Sequence, residues 1–212
     1  INPIEFLKPA ATAVSFVLGL MSGAVMSANW TRFALYLRQP AASAVVDPVL
    51  GKPVTFYLFS LPVLDSLANW FLAIAIVVFL AAIVITIMDM GSQLKGISIG
   101  LSILLAAMAV QTYVGRFALL GEQHALFAGV RYLDDHIILP GMWFIMASLL
   151  AGAAIAGINS RAGRLREIIV AIAAPALTYL VAGVIVPAYV ATFVVRPNEF
   201  VRETPYIRHN ID

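Results

Sequence analysis

The chain has 212 residues, 62% of them hydrophobic and only 11% charged, with a formal net charge of +2 and no cysteine. Soluble domains carry about 45–50% apolar and about 25% charged residues, so a soluble fold of this size has nowhere to hide so much apolar surface. No basic run could track a nucleic-acid backbone, and disulfides, thiolate zinc sites and cysteine-ligated iron–sulfur clusters are excluded.

What remains is an integral membrane protein whose first partner is the lipid bilayer. The opening INPIEFLKPA has no initiator Met and no basic n-region, as expected of a mature or truncated start rather than a signal peptide. Apolar runs predict five spans, near 10–28, 66–88, 96–114, 137–158 and 168–195. Each is long enough for a hydrocarbon core of about 30 Å. None alternates as a barrel strand would, and lipid offers no partner to free backbone groups, so the spans are expected to be helices. The predicted fold is an all-α integral membrane protein with about five transmembrane helices and interfacial helices in two long outer loops. Residues 1–195 form the membrane domain and 196–212 a polar exit segment.

In the first span Ser15, Gly19, Gly23 and Ser27 recur every four residues, a small-residue face that lets another helix approach closely. Loop one follows. Trp30, Phe33 and Leu37 line one face of a predicted short interfacial helix, with Arg32 and Tyr36 toward headgroups. In DPVLGKP, Asp47-Pro48 and Gly51-Lys52-Pro53 are turn chemistry. The apolar FYLFSLPVL beyond is too short to span and is expected in the interface or against the bundle. Asp65 and Asn69 sit at the predicted entrance of the second span, and Gln111 lies near the end of the third. No predicted span carries a mid-membrane Lys, Arg, Asp or Glu, which counts against an ion-coupled carrier built from these helices alone.

Loop two, GRFALLGEQHALFAGVRYLDDH, holds Glu122, His124, Asp134, Asp135 and His136. Glu122, His124, Asp134 and His136 are metal-ligand types. The favoured reading is a solvated loop without metal, in which Asp134 or Asp135 caps the next helix. The fourth span repeats the small-residue pattern with Ser148, Gly152 and Ala156. The fifth carries no charge from Ile168 to Val195. As a straight helix it would exceed the core thickness, and Pro175 and Pro187 are its expected kink sites.

With five spans, residues 1–9, 89–95 and 159–167 share one side. Lys8, Lys95, Arg161, Arg164 and Arg166 make that side denser in basic residues than the other. The positive-inside rule predicts it to be cytoplasmic, with the C-terminus extracytoplasmic.

The closing stretch VVRPNEFVRETPYIRHNID ends the apolar run abruptly. Pro197 and Pro205 are expected to prevent a simple continuation of the fifth helix, while Arg196, Glu199, Arg202 and Glu203 can pair at headgroup level. Three stretches carry a resemblance. DPVLGKPVTFYLFSLP looks like the "DPxFGKDxxFYxFxLP" pattern of the uncharacterised bacterial membrane family numbered 0182 in the UPF series. RYLDDH resembles its YTDxH, with departures at Leu133 and Asp135. FVVRPNEFVRETPYIRHNI is similar to its "FxVxPNExxxExPYIxxNI", which places Arg196, Pro197, Asn198, Glu199, Glu203, Pro205, Tyr206 and Asn210 in the motif. Pro53 stands where the family favours Asp. The resemblance implies longer relatives, in which several membrane helices precede a large extracytoplasmic region and the PNE…PYI segment is the hinge between them. It also implies a bacterial cytoplasmic membrane, and it carries over no catalytic residue.

No phosphate loop, nucleophile elbow, HExxH or Ser/His/Asp arrangement occurs, and no cofactor is implied. The expected role is a non-catalytic membrane subunit or scaffold packed with other membrane subunits. The alternatives are a component of a transporter or channel, and the anchor of an extracytoplasmic envelope enzyme or assembly factor.

Overall fold

The computed structural model describes residues 3–88, 94–121, 130–198, 200–202, 204 and 206. Among them the regular structure is helical: α1 Pro3–Ala28, α2 Trp30–Leu37, α3 Phe56–Met88, α4 Lys95–Ala118, α5 Asp134–Asn159 and α6 Leu165–Asn198. The sole β-type pairing described is an isolated bridge between Val46 and Pro53.

Four helices, α3 to α6, are long and apolar enough to cross a membrane. The first predicted span, 10–28, falls within α1, whose apolar part Ser15–Ala28 is shorter. The other helices outrun their predicted bounds. FYLFSLPVL is no separate segment but the first turns of α3, and it does lie against the bundle through a Phe56–Phe117 edge contact at 5.0 Å. Asp65 is therefore not at the entrance of its helix. It lies nine residues in, about 14 Å along the axis. Residues 115–118, assigned to loop two, continue α4, and residues 196–198 continue α6 as a tight turn.

Prolines account for most of the discrepancy. Pro62, Pro140, Pro187 and Pro197 each stand two residues after a widened turn, at Phe56–Ser60, Asp134–Ile138, Tyr179–Ile185 and Ala191–Val195 respectively. In each case the residue before the proline donates its N–H five residues back: Leu61 to Phe56, Leu139 to Asp134, Val186 to Val181 and Arg196 to Ala191. A proline lacks an N–H, and its ring collides with the carbonyl four residues earlier. One extra residue in the preceding turn swings that carbonyl clear, and the helix runs on. Pro175 differs, since it sits inside α6 without a widened turn before it.

Sequential neighbours pack against one another: α3 on α4, α4 on α5 and α5 on α6. The core lies among the last three, with Leu101, Leu105 and Ala109 of α4, Ile145, Leu149 and Ala156 of α5, and Ile168 and Ala171 of α6. Small residues set the approach. A Cβ on Gly100 would lie 3.1 Å from Phe79 Cα, and one on Gly152 would lie 2.6 Å from the carbonyl oxygen of Ala171. α3, the most apolar of the four long helices, is also the least covered by protein. Large side chains such as Val84, Ile87, Leu177 and Phe193 face outward, the arrangement of helices whose solvent is lipid.

Candidate functional site

Polar chemistry gathers at the two ends of the bundle. At one end the start of α5 meets the segment beyond α6. Asp134 is 1% exposed. Its Oδ2 accepts the backbone N–H of Arg131 at 3.0 Å and the Arg131 Nε–H at 3.3 Å, so the side chain reaches back over the helix start as in a capping box. Asp135 and His136 turn to the exit segment. The Tyr206 hydroxyl donates to Asp135 Oδ2 at 2.8 Å and lies 3.2 Å from His136 Nδ1. His136 stacks on Tyr132 with ring centroids 4.3 Å apart, and the Arg202 guanidinium lies 4.7 Å from the Tyr132 centroid. These contacts join Tyr132, Asp135 and His136 to Arg202 and Tyr206, so the exit segment is held at the start of α5 by a cation–π contact and hydrogen bonds.

At the same end the turn of loop one is closed by one carboxylate. Asp47 is mostly buried. Its Oδ1 accepts Val49 N–H at 3.2 Å, and its Oδ2 accepts Leu50 N–H at 2.5 Å and the Tyr57 hydroxyl at 3.1 Å. Asp47 N–H donates to Lys52 O and Gly51 N–H to Asp47 O, with Gly51 at φ 67°, a conformation that favours glycine. From Tyr57 a row of edge-on aromatic contacts runs through Phe56, Phe117 and Tyr113 to Trp143. Arg116 covers Trp143 at 4.1 Å. Loop one, α3, α4 and α5 are thus tied at one level.

At the opposite end Asn159 plugs the α5–α6 connection. Its Nδ2 donates to Ser98 Oγ at 3.0 Å and to Arg164 O at 2.9 Å, while its Oδ1 accepts Arg164 N–H at 2.9 Å. Asn159 and Ser98 are buried. The compact SRAGR loop, turned by Gly163 at φ 63°, is thereby fastened to the start of α4.

The residues singled out from sequence are distributed as follows. Tyr206 joins Asp135 and His136. Arg196, Pro197 and Asn198 form the last turn of α6 and are exposed. Glu199, Glu203, Pro205 and Asn210 lie outside the described residues, as do Glu122 and His124 of the weighed metal set. Asp134 and His136 have separate partners, and no group of three or more His, Asp or Glu gathers among the described residues. Gly152 faces α6, and Ser148 Oγ donates to Ile145 O within its own helix. Ser15 is exposed, and Gly19 and Gly23 have nothing within 4 Å of a Cβ position, facing a cleft toward α3. Sequence reasoning missed the Asn159 plug and the Asp47–Tyr57 pair. Asn159 four residues before a glycine, and an Asp-Pro four residues before another, were the available signals.

The three stretches that carried the resemblance are the loop-one turn, the α5 start and the exit segment, and the last two are in contact. A model of the uncharacterised protein family UPF0182 matches residues 4–212. The chain belongs to the UPF0182 family. A UPF0182 protein of Pelobacter propionicus is 32% identical over 98% of this chain and 24% of its own length. One of a Nocardioides species is 28% identical over 100% of this chain and 22% of its own. One of Salinibacter ruber is 30% identical over 97% and 23%. The chain therefore spans about a quarter of the length of the curated relatives it matches, and these are bacterial. No solved structure matches it.

Proposed function

We propose that the chain is a non-catalytic scaffold of the bacterial cytoplasmic membrane, packed with other membrane subunits, that sets the direction in which the polypeptide leaves the bilayer. In this reading α1 crosses as a fifth span beside α3 to α6. Lys95, Arg161, Arg164 and Arg166 then lie on the cytoplasmic side with the Asn159 plug. Asp47, Asp135, His136 and Tyr206 lie outside, and α2 rests in the interface with Trp30 and Leu37 exposed.

The single observation that carries the reading is the hydrogen bond from Tyr206 to Asp135, across 71 residues of sequence, at the point where α6 gives way to the exit segment. An unanchored tail would need no such joint. UPF0182 relatives about four times as long leave room for a large region whose orientation the joint would fix. The test is native electrophoresis of the full chain after extraction in a mild detergent. The scaffold reading expects comigration with other membrane proteins in a larger particle, and a lone monomer contradicts it.

A further inference from the structure

A second feature lies away from the joint. Between α1 and α3 runs an apolar cleft of about 780 Å³, lined by residues such as Leu18, Met21, Ile74 and Val77. That volume falls within the roughly 300–1,000 Å³ typical of ligand sites. Gly19 and Gly23 form its α1 wall and leave it open, since a Cβ on either would meet nothing within 4 Å. The Trp70 indole bridges it, donating to Ser22 Oγ at 2.5 Å.

One end of the cleft is polar. Asn29, Arg32, Asp65, Ser66 and Asn69 gather there. Arg32 Nη1 donates to Ser66 Oγ at 2.8 Å, which uses one of the five guanidinium N–H groups. Asn69 Nδ2 donates to the Asp65 backbone carbonyl, and its Oδ1 accepts from Gln111 Nε2 at 3.2 Å. No described residue pairs with the Asp65 carboxylate, and Arg32 makes no ion pair with it. A cation and an anion thus line one opening without an ion pair between them. An isolated charge beside apolar membrane surface is costly, so a ligand that satisfies both is favoured.

The geometry points to a phospholipid with a primary-amine headgroup as the occupant: acyl chain in the α1–α3 cleft, phosphate on Arg32, ammonium on Asp65. The inference rests on the membrane reading above. Phosphatidylglycerol would satisfy Arg32 through its phosphate but would offer Asp65 only neutral hydroxyls in place of an ammonium. A purely apolar packing helix would fill the apolar part and satisfy neither charge.

The test is native mass spectrometry of the full chain released from nanodiscs containing equal phosphatidylethanolamine and phosphatidylglycerol. Wild type is expected to retain phosphatidylethanolamine about tenfold over phosphatidylglycerol, the range of one charge-assisted contact. Asp65→Asn removes the preference while lipid is still retained. Arg32→Gln lowers retention of both lipids. Gly23→Phe, which fills the cleft, abolishes it. Equal retention of the two lipids by wild type overturns the proposal and needs no variant to show it. So does a photocrosslink from position 19 to a second copy or another protein in place of lipid. A chain that enters the nanodisc yet holds no lipid defeats this inference alone, whereas one that fails to insert defeats the membrane reading.

Discussion

Gly152 of α5 lies against the backbone carbonyl of Ala171 in α6, so close that a Cβ on Gly152 would sit 2.6 Å from that oxygen. Ala171 is four residues before Pro175, so its carbonyl lacks the N–H that a continuous helix would supply. The missing Cβ and the missing N–H meet at one point. Glycine lets α5 approach until its Cα hydrogens face the freed oxygen, a weak contact that recurs between membrane helices. Gly141 repeats the arrangement beside the carbonyl of Ala182, 2.9 Å from a built Cβ, within the widened turn before Pro187.

Gly152→Ala is therefore expected to destabilise the bundle by about 1–3 kcal/mol, because a backbone oxygen must move. Gly19→Ala is expected to be neutral or to stabilise by up to about 1 kcal/mol, since open space receives the methyl group and alanine is the better helix former. Unfolding in mixed micelles by added denaturing detergent separates them. Equal effects would remove the distinction between the two glycines.

Asn159→Ala should loosen the loop between α5 and α6. It removes the partner of the Arg164 N–H and carbonyl, while the Ser98 hydroxyl keeps its bond to Leu94 O, at a cost of about 1–3 kcal/mol. Hydrogen exchange at Arg164 should accelerate while exchange in the α4–α5 core stays slow. Unchanged protection at Arg164 would mean that the plug does not close the loop.

Asp47→Ala removes the acceptor of two backbone N–H groups and of the Tyr57 hydroxyl, whereas Asp47→Asn keeps the shape and part of the bonding. Limited proteolysis of loop one is expected to rank wild type slowest, Asp47→Asn next and Asp47→Ala fastest. Gly51→Ala places a side chain at positive φ, costs about 1–2 kcal/mol and should also open the turn. Equal cleavage of all four proteins would contradict the account of this turn.

How far these features can be read from sequence depends on whether the determining contact is local. The α3 to α6 helices were legible because an unbroken run of about twenty apolar residues suits a membrane span and little else. Their ends were not, because FYLFS and DDHII look like loop or interfacial sequence. Only the extra residue ahead of Pro62 and Pro140 shows how a helix continues through them. Gly19 and Gly152 carry the same four-residue spacing, yet one faces an open cleft and the other a carbonyl, and the spacing cannot distinguish them. Asp134, Asp135 and His136 stood out as polar residues, but their partners lie on both sides. Arg131 is three residues away from Asp134 and was within reach of a capping argument. Tyr206 is 71 residues from Asp135 and was not.

The exit segment is held on α5, and a distance measured in the bilayer tests that joint most directly. The chain has no cysteine, so Phe144→Cys and Val201→Cys, both at exposed positions, can carry a unique pair of spin labels. Double electron–electron resonance in nanodiscs should give one narrow distance distribution for this pair. The same pair with Tyr206→Phe and Arg202→Ala added should give a broad one. A broad distribution before those substitutions, or a narrow one that survives them, would contradict the account.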